Sequence, residues 1–242
     1  MPPAERTKKP KTTDKSGDKD RVHKLSLKGS SKLVTEFFEY SINTILFQRG
    51  VYPAEDFTAI KKYGLNMLVS ADDQVKSYIR KIMSQLSKWM LGGKISKLVI
   101  VITSKDTGEN LERWQFDVQL QGKAAKAKSP PPAATDGSGS TSKENSAPAA
   151  AAPVPEKTEK EIQEEIQSLF RQITASVTFL PMLDGRCTFN VLVYADGDAE
   201  VPMEWGDSDA REIAGGEKVA LRSWGTSSHK VDTLIPTCST QV

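Results

Sequence analysis

EIQEEIQSLFRQITASVTFLPMLDGRCTFNVLVY, residues 161–194, joins a helical pattern to a strand pattern across a short turn marked by proline. Ile162, Ile166, Leu169, Ile173 and Val177 recur at steps of three and four, the spacing of one apolar helix face. Thr158, with Glu161 three residues on, has the pattern of a capping box, and Pro181 ends the periodicity. The stretch from Cys187 to Tyr194 then reads as a buried strand. Arg171 is the misfit: it sits beside Phe170 at the border of the apolar stripe, where an ordinary core helix has no use for it.

Working outward, the remaining elements alternate in the same manner. A helix is expected after Gly29-Ser30-Ser31 and through Phe47, closed by Gly50 and followed by Pro53. A short strand is expected around Tyr63-Gly64-Leu65-Asn66-Met67-Leu68-Val69. Asp72 caps a second helix with Val75, Ile79, Ile82, Leu86 and Met90 turned inward, and Gly92-Gly93 stops it. Leu98-Val99-Ile100-Val101-Ile102 is continuously apolar, as befits a central strand buried on both faces. Trp114, Phe116, Val118 and Leu120 alternate with Arg113, Gln115, Asp117 and Gln119, a strand expected to have one wet face. This order of elements predicts an α+β fold, with three helices on one face of a mainly antiparallel sheet.

Two segments are too poor in apolar groups to repay the entropy of ordering. Residues 1–23 form a basic tail; with Lys24 it carries eight basic side chains against four acidic ones. Its Lys8-Lys9-Pro10-Lys11 is a weak match to a nuclear-import signal. Residues 122–155 form a linker of Ala, Pro, Ser, Gly and Lys. What remains, within 24–242, is enough for one domain. The 242-residue chain has a net charge of only +2, which argues against nucleic-acid binding, and no apolar run long enough for a membrane span. Its two cysteines, Cys187 and Cys238, are expected to be reduced thiols.

No nucleophile–base pair, metal-ligand spacing or phosphate loop can be found. The two histidines, His23 and His229, lie far apart in polar surroundings. Neither catalysis nor a cofactor is expected. Trp114 is expected in the core, and Trp205 as the anchor of a polar loop. Residues 195–242 have β propensity but little large apolar surface, so they are expected to specify their strand register only weakly.

Several blocks, in order, resemble the HORMA domain family, and within it the spindle-checkpoint members. They are Glu36-Phe37-Phe38, Gln48-Arg49-Gly50-Val51-Tyr52-Pro53, Lys62-Tyr63-Gly64-Leu65 and Leu111-Glu112-Arg113-Trp114-Gln115-Phe116-Asp117. Arg171-Gln172-Ile173-Thr174-Ala175, Thr178-Phe179-Leu180-Pro181, Leu221-Arg222-Ser223 and His229-Lys230-Val231 complete the set. The resemblance covers about residues 24–120 and 156–235.

The resemblance implies a HORMA fold whose C-terminal segment, here 195–242, is a mobile safety belt that closes over a partner peptide. The peptide would add as a strand along Thr188, Phe189, Asn190, Val191, Leu192, Val193 and Tyr194. Trp205 and His229 would anchor the belt, and Arg171, Gln172 and Phe179 would form an open–closed self-dimer. Leu25 and Leu27 would lie in an N-terminal strand displaced during conversion.

The implied partners are the receptor mitotic arrest deficient one and the activator of the anaphase-promoting complex, cell-division-cycle protein twenty. An AAA+ remodelling ATPase with its adaptor is implied as well. The implied setting is the nucleus, kinetochore and cytoplasm. A second reading within the fold is the accessory subunit of translesion polymerase zeta. The sequence departs from the family pattern in its tail, in its linker and at Pro236, where the final strand is expected to end by Ile235.

Overall fold

The computed structural model describes residues 25–121, 157–213 and 216–238. The basic tail and the linker read from the sequence lie outside the described residues.

Helix α1, Leu27–Gln48, runs through the middle of the molecule, and Val34, Phe37, Phe38, Ile42, Ile45 and Leu46 on it are fully buried. It starts earlier than glycine suggested, because Ser26 Oγ accepts the Gly29 N–H at 3.1 Å and caps the first turn. Gly29 therefore lies inside the helix, where the cap offsets its poor propensity. Strands β1, Phe57–Lys62, and β2, Leu65–Ser70, form a separate two-stranded hairpin. Only β2 was legible beforehand, since β1 exposes Thr58, Ala59 and Lys61 without strict alternation and lacks a clean apolar stripe. The hairpin turns at Tyr63 and Gly64, with φ of 50° and 69°. Tyr63 is held in this conformation by stacking on Phe170 at 5.7 Å and by donating to Glu36 Oε1 at 2.6 Å.

Helix α2, Asp73–Leu91, is capped by Asp72, which accepts the Val75 N–H at 2.8 Å. Strands β3, Ile95–Ser104, and β4, Asn110–Leu120, pair antiparallel, with Val101 opposite Arg113. Helix α3, Glu159–Ser176, begins with the expected capping box at Thr158 and Glu161. Strands β5, Cys187–Ala195, β6, Gly216–Ala220, β7, Trp224–Gly225, and β8, His229–Cys238, complete the chain.

The main sheet has the order β5-β3-β4-β8-β6, with β7 paired to β8. Leu98, Ile100, Ile102 and Phe116 join the cluster built with the helices, whereas Val99, Val101 and Leu192 form a second cluster on the opposite face. The central strand is thus buried on both sides. The neighbouring strand corrects one expectation: Arg113, placed by alternation on a wet face, has a side chain only 1% exposed.

Two further expectations are corrected here. Leu25 and Leu27 form no strand here, because Leu25 directly precedes the Ser26 cap of α1 and Leu27 opens that helix. And β8 does not end at Ile235 but continues to Cys238. The ladder to β4 skips from Leu234 to Thr237, as a residue without an N–H requires, while Pro236 still lies opposite Lys218 of β6. Being flanked by strands on both sides carries β8 past its proline.

Candidate functional site

Strand β5 pairs with β3 along one side only, and among the described residues no strand lies against its other side. An unpaired edge presents alternating N–H and C=O groups, a template for one more strand. At Val191 the side chain of the preceding residue takes the place of such a strand. Asn190 Oδ1 accepts the Val191 N–H at 3.0 Å and the Tyr78 hydroxyl at 3.0 Å. Phe189 packs edge-on against both Tyr78 and Tyr52. Burial raises the phenol pKa of both tyrosines above the ordinary value, so they stay neutral hydrogen-bonding groups.

Beyond this edge the chain from β5 to β6 arches over a cleft of about 800 Å³, lined by Tyr78, Ile82, Lys88, Asn190, Pro202 and Trp205 among others. β5 and β6 stand four strand spacings apart, about 19 Å, so the segment must cross the full width of the sheet. It is tied down on the way. Asp196 donates its N–H to Lys94 O at 2.8 Å, and the Lys94 ammonium meets the Asp198 carboxylate. Trp89 Nε1 donates to Glu200 O at 2.9 Å, and the Trp89 and Trp205 rings meet edge-to-face at 5.0 Å. Trp205, expected to anchor a polar loop, packs here on Trp89 of the last turn of α2, a partner that carried no separate signal in the sequence.

His229 lies fully buried at the start of β8. Its Nδ1 is 2.6 Å from Ser30 Oγ, and Ser30 Oγ is also 2.6 Å from Thr226 Oγ1. Burial lowers the imidazole pKa to about 4, so the ring is neutral at physiological pH. These three side chains fasten the first turn of α1 to the turn before β8.

The residues expected at a self-dimer surface fall into two groups. Arg171 is exposed and lines, with Phe47, Met67 and Thr174, an apolar hollow of about 340 Å³. Phe179 is 52% exposed nearby in sequence, past the end of α3. Gln172 has a partner within the chain: its Oε1 accepts the Arg222 N–H at 2.7 Å, between β6 and β7. Of the two cysteines, Cys187 is a free thiol whose pKa is raised by burial and by Glu112 and Asp106; the Cys238 side chain lies outside the described residues.

The chain matches the HORMA domain over residues 30–229. It is 56% identical over 211 residues to the mitotic spindle checkpoint component mad2 of Schizosaccharomyces pombe, covering 87% of this chain and 93% of that protein. The fold superposes on a chain of a solved mitotic checkpoint complex with a TM-score of 0.70 at 51% identity, covering 87% of this chain and 99% of that one. The mitotic spindle assembly checkpoint protein MAD2B of Danio rerio is more distant, 23% identical over 172 residues, or 71% of this chain and 68% of that protein.

Proposed function

The chain belongs to the HORMA domain family and serves the mitotic spindle checkpoint; from this we propose that it captures an extended segment of a checkpoint partner as a strand added to β5. One observation carries the reading. The belt arches over an edge strand that, among the described residues, has no neighbour on its outer side, while its terminal strands sit on the opposite edge, against β4. A peptide entering the cleft would replace Asn190 at the Val191 N–H and bury apolar side chains between Tyr78, Ile82 and Trp205. Main-chain hydrogen bonds then supply affinity, and the side-chain hollows supply selectivity.

The same terminal segment has two edges available to it. Paired with β5 it would fill the peptide's place; paired with β4, as here, it leaves that place open. A captured peptide favours the second arrangement by its differential affinity, so binding and refolding of the belt are one equilibrium. In this reading the partners are mitotic arrest deficient one and the anaphase-promoting-complex activator, cell-division-cycle protein twenty. Holding the activator delays anaphase, with no chemical step at the site. A second copy docks at Arg171 and Phe179, an AAA+ ATPase with its adaptor resets the belt, and the work is done at the kinetochore and in the nucleus and cytoplasm. The polymerase zeta reading is not favoured, since the nearer relatives are checkpoint proteins.

The test is a titration with peptides from the activator in which single backbone nitrogens are methylated. Strand addition predicts sensitivity at every second position, because only alternate N–H groups face β5. Uniform tolerance of methylation would rule the mode out.

A further inference from the structure

The helix-free face of the sheet holds a buried cation that strand capture by itself does not employ. Arg113 on β4 keeps its side chain 1% exposed, amid Val99, Val101 and Leu192. Its guanidinium donates to Gln115 Oε1 at 2.6 Å, to Ala210 O at 3.2 Å and to the Tyr194 hydroxyl at 3.5 Å, and it pairs with Glu212 Oε1 at 3.3 Å. We propose that Arg113 is the buckle of the belt, a positioning residue that retains a captured strand by holding the far end of the belt's arch, at Ala210 and Glu212, against the sheet.

The inference rests on the capture reading and adds to it the device that governs release. Tyr194 stands at the root of the belt, one residue before the end of β5, while Ala210 and Glu212 stand at the far end of its arch, shortly before β6. One side chain therefore touches both ends of the loop that spans the cleft. Trp89 fixes only the middle, through Glu200 and Trp205. A strand seated on β5 can leave sideways only if the far end lifts, and lifting removes two of the four groups that satisfy a desolvated cation. A buried charge gives up such acceptors reluctantly.

The local backbone points the same way. Arg211, between the two contacts, has φ of 43°, a left-handed conformation that an arginine seldom adopts unaided. The bend there carries Ala210 O and the Glu212 carboxylate together onto one guanidinium, whose planar fork can address both. Lysine, a point charge on a flexible stem, cannot hold the same set.

The experiment follows release of a fluorescein-labelled peptide copied from the activator, from preformed complexes with the full chain, alongside hydrogen–deuterium exchange. Arg113→Gln should release the peptide at least tenfold faster, Arg113→Lys at an intermediate rate, and Glu212→Gln about threefold faster. The double variant should be no faster than Arg113→Gln alone. Exchange in the protein without peptide should rise at residues 207–213 and stay unchanged in β3. Wild-type release rates together with unchanged exchange at 207–213 would overturn the proposal. If Arg113→Gln loosens the whole sheet, Glu212→Gln decides, because the Glu212 side chain is 60% exposed and its loss leaves folding intact. If the wild-type chain captures no peptide, the capture reading fails, and exchange at 207–213 still judges the buckle.

Discussion

Ser30 Oγ lies 2.6 Å from His229 Nδ1, so the first turn of α1 is hydrogen-bonded to the start of a strand 199 residues later. The contact accompanies the pairing of β8 with β4, with Leu120 opposite His229, and so marks where the C-terminal segment lies.

The pH dependence of this arrangement follows from the same imidazole. Burial lowers its folded pKa to about 4, below the 6.5 of a free histidine, so its contribution is complete above pH 6.5. Between pH 6.5 and about 4 the unfolded or detached state takes up the proton and the stabilisation is lost. Melting temperatures at pH 7.5 and 5.5 should fall for the wild type by more than for His229→Gln. Parallel falls would show that other groups carry the acid sensitivity.

Glu112 should prove structurally costly to remove. Its Oε1 meets Arg49 Nη2 at 2.5 Å and Nε at 2.7 Å, its Oε2 accepts Trp114 Nε1 at 3.1 Å, and both side chains of the ion pair are almost fully buried. Arg49 also donates to Pro181 O, tying the end of α1 to the segment leading into β5. Glu112→Ala strands the guanidinium and should destabilise the chain by about 3–5 kcal/mol in urea unfolding. A change below 1 kcal/mol would mean that water reaches Arg49 readily.

Arg171→Ala should convert a self-associating chain to monomer in light scattering, without lowering the melting temperature. The exposed position of Arg171 beside an apolar hollow motivates this. An equal loss of stability would assign the arginine to intramolecular packing instead.

Deleting residues 233–242 should abolish peptide capture. The deletion removes the part of β8 that pairs with β6 from Leu234 to Cys238, and with it the strand partner that β6 has among the described residues. The helices with β3, β4 and β5 should still unfold cooperatively. Undiminished peptide affinity by titration would sink the assignment of this segment to the belt.

Much of the scaffold was legible in the linear chain, and particular residues show why. Thr158 and Glu161 announce α3, Asp72 announces α2, and the apolar run at Leu98 announces a strand covered on both faces. These signals are local, acting within one turn or along one strand. β1 escaped notice because a hairpin lying outside the main sheet needs no strict alternation. Arg113 was misplaced for the opposite reason: alternation correctly put it on the polar face of β4, but what covers that face arrives from a distant segment.

The amino-acid sequence alone determined the helices, the central strands and the family, because capping, periodicity and residue order are properties of neighbours along the chain. Only the tertiary structure decided which edge the last strands occupy, and with it the open side of β5, the burial of His229 and the partners of Arg113. Strand pairing depends on which backbone edge is vacant in space. Residues 216–238 could serve either edge by composition, so that choice belongs to the folded molecule.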